Sequence, residues 1–465
     1  MKFFSKIFTL SALVLAFSFI ISCSDDDDGN EMEPMADSNI VDLALATDDL
    51  SSLVAALQRA DLVSALQADG PFTVFAPTND AFTAFLAANN FASLEDVPVD
   101  LLTDVLLNHV VSGENLSTGL STGYISSLST AGVGGNNLSL FIDTSSGVSI
   151  NGVATVTTPD VEASNGVVHI VNGVIGLPNI VDHAVANGDL SELVGALTAG
   201  GNTTFTDLLS DAGTDFTVFA PVNAAFTAFT NPNGNDINNV LSNHVIAGTA
   251  AFAASLSNSY ASTAGTNADG DNLSLYINAD SGVTLNGIST VAAADIVATN
   301  GVIHAVDAVI DIPTVVSFAV ADPNFSTLVS ALTELTPATD FAGILSRTEG
   351  GNMDDINPDF TVFAPTNDAF AALAAIPDEP VLTQILLHHV IGGANVRSGD
   401  LTDGISPATL EGDAITINLP GTGDNIADVT DGAGNTGIGI TAVDVQAANG
   451  VIHVLNTVLL PDTTN

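Results

Sequence analysis

The string FTVFAPTNDAF occurs at residues 72–82 and again at 360–370, and a near copy, FTVFAPVNAAF, fills 216–226. The three starts are 144 residues apart both times. Each copy is followed by a leucine-rich stretch ending in His-Val: LLNHVV (106–111), LSNHVI (241–246) and LLHHVI (386–391). A third block closes each unit: NGVVHIVNGVIGLP (165–178), NGVIHAVDAVIDIP (300–313) and NGVIHVLNTVLLP (449–461). Residues 138–178 align without gaps on 273–313, with 21 identities in 41 positions. A unit of roughly 140 residues is large enough to own a core. The chain therefore reads as a string of three domains and not as a solenoid of small repeats.

Period assigns the elements inside a unit. Phe72–Phe75 is a short β-rich run stopped by Pro77, which cannot donate to a ladder. Asn79 is the expected N-cap of a helix carrying Phe82 and Phe85. Val41, Leu45, Leu53 and Leu57 fall at helical spacing across 40–66, and the pattern returns over 102–111 up to His109. The period then drops to two, with Leu138, Leu140 and Ile142 alternating with Ser139 and Phe141. Asp160–Ala163, Asn165-Gly166 and Val167–Val174 read as strand, tight turn and strand, because Asn-Gly tolerates the positive φ of a two-residue hairpin turn. Each unit is thus α+β, a helix-rich first half followed by an antiparallel second half.

These blocks resemble the fasciclin-like domain family over residues 38–461. FTVFAPTNDAF matches the family's first conserved box and NGVIHVLNTVLLP its second. The resemblance implies three tandem domains, 38–178, 179–313 and 314–461, each a β-sandwich-like wedge with packed helices. Many members carry a Tyr-His pair between the boxes that is implicated in adhesion. The matching positions here are Asn108-His109, Asn243-His244 and His388-His389, so the His is kept and the Tyr is replaced. The resemblance points away from catalysis, toward adhesion or matrix contact with an extracellular polysaccharide or a surface protein as partner. The other expectation weighed is a small-molecule or glycan-binding module serving an envelope uptake system, which would need a deep apolar pocket in all three units.

Charge narrows the classes further. The chain carries 5 Lys+Arg against 53 Asp+Glu, a net charge of −48. Phosphate neutralisation needs Lys and Arg, so nucleic acid is excluded as a partner. Docking on anionic lipid through a basic patch is excluded likewise. Both lysines, Lys2 and Lys6, sit at the amino terminus, which removes Schiff-base, P-loop and Ser-Lys chemistry from the rest of the chain. One Cys rules out a disulfide framework.

That Cys has a meaningful place. Lys2 and Lys6 precede an apolar run from Ile7 to Ile21, too short for a comfortable span, and the run ends Ile21-Ser22-Cys23. Residues 1–22 read as a lipoprotein signal peptide and Cys23 as the lipidated first residue. Ser24, Asp25, Asp26 and Asp27 follow, and resemble the surface-export signal of Bacteroidetes lipoproteins. Residues 23–37 form an acidic flexible tether. The expected location is the outer membrane, exposed at the cell surface and held there through the lipid anchor.

The remaining motifs are weaker. His169, His304 and His453 share strand faces with valines and read as structural, with no acidic residue recurring beside them. One of His388 and His389 is expected at the surface, since adjacent helical residues diverge. Gly119–Gly123 fits G-x-S-x-G and Gly437–Ala442 a loose dinucleotide pattern, but neither has the expected strand-to-helix context. Asp269, Asp271, Asp354, Asp355 and Asp359 are candidate calcium ligands without the spacing of an EF-hand loop. Unit three carries a longer loop at 336–359 and a Gly/Asp-rich insertion at 420–437, places for domain-specific binding. No cofactor other than calcium is expected.

Overall fold

The computed structural model describes residues 38–201 and 203–463. Cys23, the Ser24–Asp27 run and the 23–37 tether lie outside the described residues. The first domain runs α1 (Ile40–Ala46), α2 (Ser51–Arg59), α3 (Val63–Leu66), β1 (Phe72–Pro77), α4 (Asn79–Ala88), α5 (Val99–Leu107), β2 (Val110–Ser112), β3 (Gly123–Ser126), β4 (Ser139–Asp143), β5 (Ser149–Ile150), β6 (Ala154–Ala163) and β7 (Gly166–Val171). Its sheet has the order β2-β1-β7-β6-β5-β4-β3. Only β1 and β7 pair in parallel, in register Phe72↔Gly166 to Pro77↔Val171. The second domain repeats this order with seven strands and the third with six. The fold is α+β.

The sheet is a wedge because β6 and its counterparts are bent. The register of β6 on β7 shifts twice, around Thr158. Asp160 at the bend has φ +59, and Asp295 and Asp444 hold the same place with φ +59 and +61. A bulge of this kind turns one strand through two half-sheets.

Each domain has two cores, one on either side of the first box. In β1, Val74 and Ala76 join α1, α2 and α5 through Val41, Leu53 and Leu102, whereas Phe75 packs on the other side with Leu140, Ile142 and Val171. Phe219 and Phe363 repeat the role of Phe75. A strand buried on both faces explains why the box is continuously apolar and does not alternate.

Two local expectations change. The N-cap of α4 is Thr78, whose hydroxyl accepts from the Ala81 amide, and Thr366 does the same in the third domain. The Asn79 side chain instead accepts from the Ser52 amide and donates to the Asp48 carbonyl, tying α4 to the start of α2. Asn165-Gly166 is likewise not the two-residue turn. Ala163 pairs with Gly166, so the turn is Ser164-Asn165, and Asn165 lacks a positive φ. Gly166 is required by proximity: a Cβ there would stand 1.9 Å from the Phe72 carbonyl oxygen. Asn165 donates to the Leu66 and Ala68 carbonyls and accepts from the Ile40 amide. It clasps the two ends of the helical layer to the hairpin. Asn300 and Asn449 make the same three contacts in their domains.

Candidate interaction surfaces and domain junctions

The family positions are interior. Asn108, Asn243 and His388 are 0% exposed and His109, His244 and His389 are 2% exposed. The Nδ1 of His109 donates to the Val105 carbonyl at 2.7 Å, and its Nε2 accepts from the Ile175 amide at 2.9 Å. His244 bridges Val240 to Ile310 in the same way, and His389 bridges Ile385 to Leu459. Each ties the last turn of a helix to the closing segment of its domain. Burial holds all three imidazoles neutral, with pKa lowered to about 4. Asn108 donates to the Gly176 carbonyl, and Asn243 to that of Asp311. One of His388 and His389 is expected at the surface, but both are buried, His388 as the C-cap of its helix. Its Nδ1 meets Thr409, its Nε2 accepts from the Gly432 amide, and Glu411 lies 3.5 Å away. These side chains therefore act within their own domains.

The strand histidines do have a recurring acidic neighbour, contrary to expectation. His169 Nδ1 accepts from the amide of the bulge residue Asp160, and its Nε2 donates to the Asn115 carbonyl. His304 repeats this with Asp295 and Ala251. His453 donates to the Val396 carbonyl, with Asp444 nearby. The Asp160, Asp295 and Asp444 carboxylates accept from the amides of Ser117, Ala253 and Ser398. The acid is nine residues upstream across a hairpin, invisible to a local motif search. The arrangement ties a loop to the bulge, with the carboxylates of Asp160 and Asp295 3.8 and 3.9 Å from the imidazoles of His169 and His304.

The calcium candidates are partly occupied by arginines. Arg347 holds Asp354 through two 2.9 Å bonds and also donates to the Ile356 carbonyl. Arg397 reaches Asp271 at 2.6 Å from the third domain into the second, and Asn395 donates to the same carboxylate. Asp355 sits at φ +58, and burial together with the charge of Asp269 raises Asp359 above the usual carboxylate range. Among the described residues no three His, Cys, Asp or Glu side chains are grouped to hold a metal. Gly119 closes a turn that leads into β3, and Gly437 leads into the strand Ile438–Ala447, so neither glycine motif opens a helix. The unit-three insertion is ordered by a strand, Ala427–Thr430, and by Asp428 accepting from Asn425 and Thr422.

The residues that sequence reasoning missed are those that dock the domains. Tyr124 of β3 lays its ring against the edge of His183, on the first helix of the second domain (Ile180–Ala186), with centroids 5.6 Å apart. The Val297 amide donates to Ser139 of the first domain at 2.9 Å. At the next junction Tyr260 meets Phe318 at 5.6 Å, on the third domain's first helix (Val315–Ala321). There the Gln446 amide donates to Ser274 at 2.9 Å. The same positions of the repeat thus serve both junctions. Tyr124 joins the second domain's core and Tyr276 the third's. A signal was present: the chain has three tyrosines and no tryptophan, and all three tyrosines lie at a junction.

Cavities add one polar groove. About 650 Å³ opens at the second junction, lined by Asp269, Asp271, Asn395, Arg397, Asp400 and Asp444. Apolar cavities recur under the first helix of each domain, of about 10, 70 and 90 Å³ in chain order. They are far below the roughly 300 Å³ of a small-molecule pocket. No single helix among the described residues is long and apolar enough to cross a membrane.

Comparison with known proteins places this geometry. The fasciclin domain model matches residues 48–178, 188–313 and 323–461. Human periostin is 27% identical over 449 residues, covering 92% of this chain and 48% of periostin. The pig transforming growth factor-beta-induced protein ig-h3 is 28% identical over 440 residues, covering 91% of this chain and 58% of that protein. The chain thus spans about half the length of these two relatives. The cell surface glycolipoprotein MPB83 of Mycobacterium bovis is 31% identical over 147 residues, covering 30% of this chain and 57% of that protein. A solved fasciclin domain pair from the insect cell adhesion molecule Fasciclin I aligns with a TM-score of 0.38 and 17% identity, over 56% of this chain and 96% of that one. With three matched units covering most of its length, the chain belongs to the fasciclin domain family as a tandem array of three such domains.

Proposed function

We propose that the chain is a non-enzymatic adhesion or matrix-interaction protein, tethered by lipid at Cys23 to the outer membrane and displayed outward. The observation that carries this reading is the repeated docking of three fasciclin domains through the same residues, Tyr124 with Ser139 and Tyr260 with Ser274. An array of similar domains on one tether multiplies weak contacts by effective concentration. The buried histidines and the bulge aspartates serve structural bonds, which supports a binding role over a catalytic one. One named relative, a cell surface glycolipoprotein, favours surface display. The partner is an extracellular polysaccharide or a surface protein. The polar groove at the second junction offers carboxylates, an amide and a guanidinium suited to hydroxyl-rich ligands. The small apolar cavities favour this reading over a small-molecule module for uptake.

The test compares attachment and aggregation of cells bearing wild-type protein with cells bearing Cys23→Ala at equal expression. Attachment should fall in the variant. Equal attachment by both would sink the adhesion reading. Protease treatment of intact cells tests display separately: cleavage of the domains is expected, and protection would place them inside the envelope.

A further inference from the structure

The two junctions are built on one plan but differ at their centres. In the second, Tyr260 packs on Phe318 and donates to the Asp322 carboxylate at 2.9 Å, and Arg397 pairs with Asp271 between the domains. In the first, the Phe318 position is His183 and the Asp322 position is Asn187, whose amide reaches the Tyr124 hydroxyl at only 3.4 Å. No interdomain ion pair was found across the first junction among the described residues. His183 is 0% exposed, wedged between the Tyr124 ring and the Val297 carbonyl, to which its Nε2 donates at 3.1 Å. Its Nδ1 is buried without a partner.

We propose that the first junction is an acid-sensitive joint, opened by protonation of His183, while the second junction, with Phe318 in that place, stays closed. A second proton on the imidazole would fall on Nδ1, which has no acceptor, inside an apolar contact between two domains. Tyr124 is the titratable side chain touching it, and a phenol offers no negative charge at neutral or acid pH. The other titratable groups on elements packed against this helix are Asp189, Glu192 and Asp207, with Asp295 on the strand that carries Val297 and His304 on the neighbouring strand. Asp182 on the helix itself is turned to the Asn179 amide. The influences on His183 are burial, which lowers its pKa to about 4, and the Val297 carbonyl, which opposes it. None of the named carboxylates compensates the charge.

The sign follows from linkage. In the open joint the imidazole meets water and titrates near its ordinary value of about 6.5. Opening therefore takes up a proton between that value and about 4, so acid favours the open form. The opening equilibrium rises about thirtyfold between pH 7.5 and pH 5. The other buried histidines sit inside single domains, so opening a junction does not release them.

Two matched amides read this equilibrium in the full three-domain chain. Val297 donates across the first junction to Ser139, and Gln446 across the second to Ser274. Hydrogen-exchange protection of each amide, corrected for the pH dependence of intrinsic exchange, reports opening of its junction. Protection at Val297 is expected to fall about thirtyfold from pH 7.5 to pH 5, and at Gln446 less than about threefold. His183→Phe, which installs the residue the second junction already uses, should flatten the Val297 response. Phe318→His should confer one on Gln446, and this variant tests the idea even where the first fails to fold. A parallel fall at both amides, a Val297 response that survives His183→Phe, or no fall at Val297 would each overturn the proposal.

Discussion

The phenol of Tyr260 donates to the carboxylate of Asp322 at 2.9 Å, joining the second domain to the third. Asp322 is 5% exposed, and its other oxygen accepts from the Asn324 amide. Deleting the hydroxyl leaves a buried carboxylate short of a donor, which costs about 1–3 kcal/mol. Tyr260→Phe is therefore expected to weaken docking of the third domain by that amount. Tyr124→Phe removes only a 3.4 Å amide contact and should cost under about 1 kcal/mol. Calorimetry of the full chain distinguishes them: the Tyr260 variant should separate the third domain's transition from the second's, and equal effects of both variants would refute the asymmetry.

Gly166 supports a second prediction. Its φ is +147, and an added Cβ would meet the Phe72 carbonyl oxygen at 1.9 Å, inside the parallel pair that joins the two sequence boxes. Backbone cannot yield there as a flexible side chain would. Gly166→Ala should cost more than about 3 kcal/mol and unfold the first domain selectively. Gly176 has open space around it, and Gly176→Ala should stay within about 1 kcal/mol of wild type. Urea unfolding of the two variants checks this, and a mild Gly166→Ala would show that the strands can separate.

Much of this was legible because the repeat gave three readings of each element. The box that forms β1, the helical first half and the antiparallel second half all follow from period, and the family resemblance follows from the boxes. What was not legible depends on partners distant in sequence. Asn165 looked like a turn former because Asn-Gly is a local signal, yet its side chain serves Ile40, Leu66 and Ala68, about a hundred residues away. Asp160 stands nine residues before His169, and only the bulge brings its backbone amide to the imidazole. Helical geometry put one of His388 and His389 at the surface, but His388 caps the helix end and accepts from Gly432 of the unit-three insertion, so both are buried. The docking tyrosines carry no motif at all, and only their rarity in the chain marks them.

Acid should destabilise all three domains through one shared device. His109, His244 and His389 have folded pKa values near 4, lowered by burial, against about 6.5 when unfolded. A depressed histidine pKa means the unfolded chain binds more protons in that window. The stability these groups contribute is fully present above about pH 6.5 and is lost as pH falls toward 4. Each histidine accounts for up to about 3 kcal/mol over that range. Urea midpoints of the chain measured from pH 7.5 to pH 4.5 should fall steadily below about pH 6.5. His109→Gln keeps a polar side chain without the titration, and should flatten the first domain's profile while lowering its stability at neutral pH. A profile unchanged in slope would remove His109 as the cause.

Calcium offers the last test, because the structure assigns other partners to two of the best-placed aspartates. Asp354 is held by both terminal nitrogens of Arg347, and Asp271 by Arg397 and Asn395. A cation entering either place must displace a guanidinium, and a hard divalent ion asks for six to eight oxygens at once. Adding millimolar calcium or a chelator to the full chain should therefore move its thermal transitions by less than about 1 °C. Arg397→Ala frees the Asp271 carboxylate, beside Asp269, in the groove of the second junction. That variant should lose interdomain coupling and acquire a calcium-dependent rise in the melting temperature of its third domain. A rise of several degrees in the wild-type protein would show instead that calcium competes with the arginine successfully, and would return the groove to the list of metal sites.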